Sequence, residues 1–249
     1  MSEDILSLAP QAADRRVSYG ADPNQFFDVW SPAGARAMAL VIHGGFWRAK
    51  YDLLHTSHMC AALARSGLAV ANLEYRRVGN EGGGWPGSYE DVRAGFAAAR
   101  RELSEGGKAI VIGHSAGGHL ALRLATDEPQ LGGVIALAPV AVLRTAYDLN
   151  LSDGAVSEFL GGTPGEIPEI YEAACPSRHA ASVQRILLHG SADEVVPLSM
   201  SREFDIARQQ DPGTVWFMKL DECDHFDLID PESRAWPIVH MDAESLLED

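Results

Sequence analysis

Six short runs of apolar and β-branched residues punctuate the chain, at positions 37–43, 68–73, 109–113, 134–138, 186–189 and 215–220. In these runs the apolar residues follow one another with little polar alternation, as in strands buried on both faces. The longer stretches between them have helical spacing. Residues 53–65 read as an alanine-rich helix that closes at Gly67, where a left-handed cap is expected. Ser88 followed by Asp91 reads as a capping box opening a helix through Arg100. Strands alternating with helices in this way predict an α/β fold, a mostly parallel sheet with helices on both faces.

Ahead of the first strong strand, residues 16–32 place Val17, Tyr19, Phe26, Phe27, Val29 and Trp30 in two extended halves around Gly20 and Pro23. That arrangement predicts a hairpin or antiparallel edge strands. Residues 140–184 carry no strong strand, and Gly154, Gly161, Gly162, Pro164, Pro168 and Pro176 divide them into short helical patches. A small cap over a site is expected there. The 249 residues suit one domain spanning positions 1–249.

Composition narrows the function classes. Apolar residues make up 46% and charged residues 22%, so the chain should fold on its own. A net charge of −15 repels nucleic acid and anionic lipid, and neither is expected as a partner. The N-terminus lacks the basic residues of a signal peptide, and no run reaches the roughly 18 apolar residues of a membrane helix, so a cytoplasmic location is expected. Cys60, Cys175 and Cys223 are odd in number and far apart, which points to neither disulfides nor zinc. Cys223 lies too close to His225 in the chain to face it as a thiol nucleophile, and is read as structural. The expected partner is a small-molecule substrate, with no metal and no cofactor; a homodimer is left open.

Gly113-His114-Ser115-Ala116-Gly117 fits G-x-S-x-G, with an apolar strand before it and a helix-like stretch from Gly118 to Ala125 after it. A serine on so sharp a strand-to-helix turn is lifted above the strand ends. The rival reading, a phosphate-binding loop, would require a lysine that is absent. An alcohol attacks at neutral pH only if a base removes its proton. Among nine histidines, position selects His225, in the loop after the last strand. His43 and His114 are read as shaping the two glycine motifs, and His119 as a partner standing behind Ser115. His55, His58, His179, His189 and His240 are assigned to surface or packing.

The base needs an acceptor to fix its tautomer, and Asp193 ends the strand-to-turn segment Leu187-Leu188-His189-Gly190-Ser191-Ala192-Asp193. Asp224 and Asp227 are too near His225 in sequence to reach its ring easily. The order Ser, Asp, His is the one used by a large hydrolase superfamily. His43-Gly44-Gly45-Phe46-Trp47 follows the strand at 37–43, and the amides of Gly44, Gly45 and Ala116 would form an oxyanion hole.

Taken together, His43-Gly44-Gly45, Gly113 to Gly117, Asp193 and His225 resemble the α/β-hydrolase superfamily over nearly the whole chain. Within it, His43-Gly44-Gly45-Phe46-Trp47 resembles the H-G-G-x-W motif of the serine-type kynurenine formamidases. Tyr19-Gly20 with Phe27-Asp28-Val29-Trp30-Ser31-Pro32 is similar to their N-terminal strand signature. Small carboxylesterases carry similar HGG loops, and Leu73-Glu74-Tyr75-Arg76-Arg77 is similar to a segment of both groups. The resemblance implies a cofactor-free serine hydrolase with Ser115, Asp193 and His225 as its triad. An aryl formamidase is favoured, a short-chain carboxylesterase is the alternative, and a non-catalytic binding module on the same scaffold is a remote third. A formamidase needs an aromatic-lined leaving-group subsite, which Phe46, Trp47 and Trp85 could wall.

Overall fold

A computed structural model describes residues 2–103 and 107–248, with side chains from Ile5 onward in the N-terminal segment. Its eight strands are β1 (Arg15–Ser18), β2 (Phe26–Trp30), β3 (Met38–Ile42), β4 (Ala69–Leu73), β5 (Ala109–His114), β6 (Gly133–Leu137), β7 (Arg185–Gly190) and β8 (Val215–Leu220). They form one sheet in the order β1-β2-β4-β3-β5-β6-β7-β8. β1 and β2 pair antiparallel with each other, as does β2 with β4, and every other pairing is parallel. This is the α/β-hydrolase arrangement, and the antiparallel edge is the one that residues 16–32 predict.

The helices are α1 (Ser57–Arg65), α2 (Gly87–Leu103), α3 (Ala116–Asp127), α4 (Leu143–Asp148), α5 (Ala155–Leu160), α6 (Pro168–Ala174), α7 (Ser199–Arg208) and α8 (Trp236–Ser245). Strand β3 shows why the central runs are continuously apolar. Met38, Leu40 and Ile42 enter the core on one face of the sheet, while Ala39 and Val41 enter the core on the other. With both faces covered there is no position for a polar residue. β8 closes the sheet as an edge strand, and its Trp216 and Met218 stand in solvent.

Local punctuation follows the sequence at some points and departs from it at others. Gly67 does adopt a left-handed conformation (φ 96°) after α1, and the amide of Leu68 reaches back to Leu63 O at 3.4 Å. The capping box does not form. Ser88 lies inside the first turn of α2, accepts from the Gly84 amide at 3.1 Å and donates to Arg76 O at 2.5 Å. Asp91 is buried and takes two hydrogen bonds from the Arg76 guanidinium, one from the Arg76 amide and one from Gln25. A fully charged partner holds a buried carboxylate better than a helix end does.

Residues 140–184 are described as α4, α5, α6 and the 3-10 turn Pro176–Arg178, without a strand. They pack against the loop after β3. Trp47 stacks on Phe159 at 4.4 Å between ring centres, and Arg48 binds Glu158 and Ser152. Among the described residues no helix is long and apolar enough to cross a membrane.

The first turn of α3 rests directly on the end of β3. A Cβ placed on Gly117 would lie 2.1 Å from the carbonyl oxygen of Ile42 and 2.5 Å from that of His43. Gly117→Ala should therefore force strand and helix apart and lower the unfolding free energy by about 1–3 kcal/mol, measured by urea denaturation.

Candidate active site

β5 ends at His114 and α3 begins at Ala116, which leaves Ser115 alone on the bend. Its backbone takes φ 57° and ψ −118°, a strained combination for any residue with a side chain. Neighbouring backbone enforces it. The Ser115 amide donates to Leu137 O at 2.8 Å, and its carbonyl accepts from the amides of His119 and Val140, each at 3.2 Å. Ala116 opens α3, so its amide has no acceptor within the helix. The loop after β3 comes up against this bend at Gly44, where a Cβ would sit 2.9 Å from Ser115 Cβ.

The opposite wall comes from the ends of β7 and β8, which are stitched together beyond the sheet. Ser191 N bonds Leu220 O and Ala192 N bonds Cys223 O, each at 2.9 Å. The pairing sets Asp193 beside His225, and His225 Nδ1 donates to Asp193 Oδ2 at 2.7 Å. His114 Nε2 donates to the backbone carbonyl of His225 at 3.0 Å, pinning that loop to the strand that carries the serine. Burial pushes the His114 imidazole far down in pKa, with His225 and His55 adding to the effect, so it stays neutral. Ser115 and His225 wall the same cavity. Among the described residues no hydrogen bond joins them, and such contacts commonly tighten only when substrate enters.

Asp193 has lost its water and has gained donors. Burial alone would raise its carboxyl, but hydrogen bonds from His189, His225 and the Val196 amide outweigh it and hold the group well below the ordinary carboxylate range. Oδ1 accepts from the amides of Val195 and Val196, both at 2.8 Å. His189 Nε2 lies 3.3 Å from Oδ2, while its Nδ1 faces Ser201 Oγ at 2.8 Å. Only the position of His189, four residues before Asp193, hints at this contact in the sequence. Asp224 and Asp227 turn to amides of their own loop instead. Cys223 is buried, and burial pushes its thiol up. Among the described residues no group of His, Cys, Asp and Glu could hold a metal ion.

The loop His43–Trp47 is held from below by the segment after β4. Glu74 Oε1 accepts from His43 Nε2 at 3.0 Å and from the Tyr75 amide at 3.0 Å, and Arg77 lies 3.2 Å away. Glu74 Oε2 takes the Leu53 amide at 3.2 Å, and the Tyr75 ring stacks on His43 at 4.7 Å. Phe46 and Trp47 both have left-handed backbones (φ 50° and 56°), and the sharp turn sends their side chains to different places. Phe46 walls the cavity with Ser115. Trp47 is fully buried, and Trp85 stacks on Tyr89 at 5.3 Å; neither lines the cavity. His119 donates to Ala174 O at 3.0 Å and serves the packing between α3 and α6, away from the serine hydroxyl. The remaining cavity walls include Leu6, Tyr51, His55, Val195 and Phe226, and none of them comes from residues 140–184.

The BD-FAE family model matches residues 27–207. Esterase LipC of Mycobacterium tuberculosis is 27% identical, over 91% of this chain and 62% of that protein. Esterase LipQ of the same organism is 25% identical, over 88% of this chain and 58% of that protein. The chain thus spans about three-fifths of the length of these relatives. Among solved structures, a truncated carbohydrate esterase from gut microbiota superposes with a TM-score of 0.79 at 17% identity, over 96% of this chain and 97% of that one. Esterase B from Lactobacillus rhamnosis does so with a TM-score of 0.77 at 18% identity, over 99% and 89%. Both share the fold.

Burial pushes the Glu74 carboxyl up, but His43, Arg77 and the Tyr75 amide together bring it below its ordinary 4.5. Its ionised form therefore adds stability that is complete above that value and is lost as pH falls through the lower folded one. Glu74→Gln should cost about 1–3 kcal/mol at pH 7. The gap to the wild type should narrow in acid, as read from urea midpoints across the pH range.

Proposed function

Because the chain belongs to the BD-FAE family, within the α/β-hydrolase superfamily, we propose that it is a serine hydrolase cleaving carboxylic esters through an acyl-enzyme. The observation that carries the proposal is the 2.7 Å bond from His225 Nδ1 to the buried Asp193 carboxylate, with His225 and Ser115 lining one cavity. Asp193 fixes the tautomer in which His225 Nε2 is the free acceptor. Ser115 Oγ gives its proton to that nitrogen as it attacks the ester carbonyl, and the amides of Gly44, Gly45 and Ala116 receive the charge on the oxygen. His225 then protonates the leaving alcohol and activates the water that releases the acid. The sequence expectations of a cytoplasmic, cofactor-free enzyme built as one domain belong to the same proposal; the cap expected at residues 140–184 does not, because that segment braces the loop after β3 and contributes no wall to the Ser115 cavity.

Esters are preferred over aryl formamides for two reasons. The relatives LipC and LipQ are named esterases. Of the three aromatic residues expected to wall a formamidase leaving-group subsite, only Phe46 reaches the cavity. The His43-Gly44-Gly45-Phe46-Trp47 motif keeps the formamide as the second reading. A non-catalytic module would have no use for a charged carboxylate buried against the base, since burying that charge carries a cost.

Ser115→Ala should abolish turnover and labelling by a fluorophosphonate, while Asp193→Asn should lower kcat by roughly 10⁴. Measured side by side, kcat/KM should be higher for 4-nitrophenyl acetate than for N-formylkynurenine; the reverse order would transfer the assignment to the formamide.

A further inference from the structure

The cavity at Ser115 does not end at the reacting groups. It encloses about 280 Å³, and its lining includes Tyr51, His55 and Leu6, the last from the 3-10 turn Ser2–Ser7. A second hollow of about 370 Å³ adjoins it, sharing Leu6, Tyr51 and His55 and adding Ile5, Leu8 and Leu54. Ile5 is 2% exposed and anchors the segment. Leu6, Leu8, Tyr51 and Leu54, by contrast, are 49%, 51%, 41% and 44% exposed. Single exposed leucines are ordinary, whereas several that line one hollow adjoining the Ser115 cavity have the composition of a binding surface.

The groove has a definite chemistry. Its outer half also touches Lys50 and Asp52, both exposed, so charge sits where water can solvate it. His55 adds no charge, because burial, followed by the proximity of His43, brings its pKa down to about 3. Arg77 holds the Tyr51 carbonyl, and Asp52 caps the 3-10 turn Leu53–Thr56 through the Leu54 amide, so this side of the groove is a fixed surface. Sugar hydroxyls would meet leucine side chains here, while a hydrocarbon chain would exchange water for apolar contact along its length.

We propose that the groove between Leu6–Leu8 and Tyr51–Leu54 binds the aliphatic chain of the substrate, making medium-chain esters the preferred class. This rests on Ser115 as the nucleophile. The chain can belong to the acid or to the alcohol, and two substrate series separate these sources. The first is 4-nitrophenyl acetate, butyrate and octanoate; the second is ethyl, butyl and octyl acetate. In one series kcat/KM should climb several-fold per added methylene until the groove is full, and the series that climbs identifies the source.

In a Leu8→Ser/Leu54→Ser variant, both positions being half exposed, the octanoate-to-acetate ratio of the first series or the octyl-to-ethyl ratio of the second, whichever climbs, should fall about tenfold. Flat kcat/KM in both series, or a variant ratio equal to the wild type's, overturns the proposal. If no ester is cleaved at all, the hydrolase reading falls separately, and the groove is judged by calorimetric titration of Ser115→Ala with 1-octanol. Saturable binding that weakens about tenfold when Leu8→Ser and Leu54→Ser are added supports the groove, and absence of binding overturns it.

Discussion

A carboxylate with no exposed side-chain surface, Asp193, is the group around which the rest of this site is arranged. An ionised carboxyl removed from water is costly unless its oxygens are met by donors. Here the Val195 and Val196 amides meet one oxygen, and His225 and His189 approach the other. The same contacts that make the charge tolerable also hold the His225 imidazole in one direction. The stitched turns after β7 and β8 supply this geometry, and they exist because the two strands run parallel in register from Arg185↔Val215 to Gly190↔Leu220. The direction of that imidazole is thereby inherited from the sheet.

A second support system holds the other half of the site. Glu74 and Arg77 sit just beyond β4, the strand that pairs with β3, and from there they reach His43, Leu53 and Tyr51. One carboxylate thus ties the loop that approaches Ser115 to the loop that walls its cavity. The aromatic stack of Trp47 on Phe159, with His119 edge-on, fastens the opposite side of that loop to the helices at 140–184. These helices brace the loop and leave the cavity walls to residues from elsewhere.

Much of this was legible because its signals are local. The six strand runs appear within about a residue of their predicted ends, and Ser115, Asp193 and His225 each follow a strand whose direction fixes where its loop emerges. What escaped is what depends on which way a side chain turns. Trp47 differs from Phe46 only by one left-handed step of the backbone, and no sequence pattern announces that step. Ser88 and Asp91 had the spacing of a cap, but Arg76, fifteen residues upstream of Asp91, was the stronger partner. Leu6 belongs to no periodic element, so nothing in the chain marked it as a neighbour of the serine. His189 stands four residues before Asp193, but the carboxylate becomes its neighbour only in the folded turn.

The bend at Ser115 has an implication for the history of such a chain. At φ 57° and ψ −118° the backbone favours glycine, and strain of this kind costs about 1–3 kcal/mol. A glycine would relax the turn and discard the hydroxyl in the same step, so with Ser115 as the proposed nucleophile the inert protein would be the sturdier one. Under neutral drift the chain would slide toward that calmer state, and only selection for the reaction opposes the slide. Thermal robustness in natural variants of this scaffold is therefore a poor guide to whether they still turn over substrate.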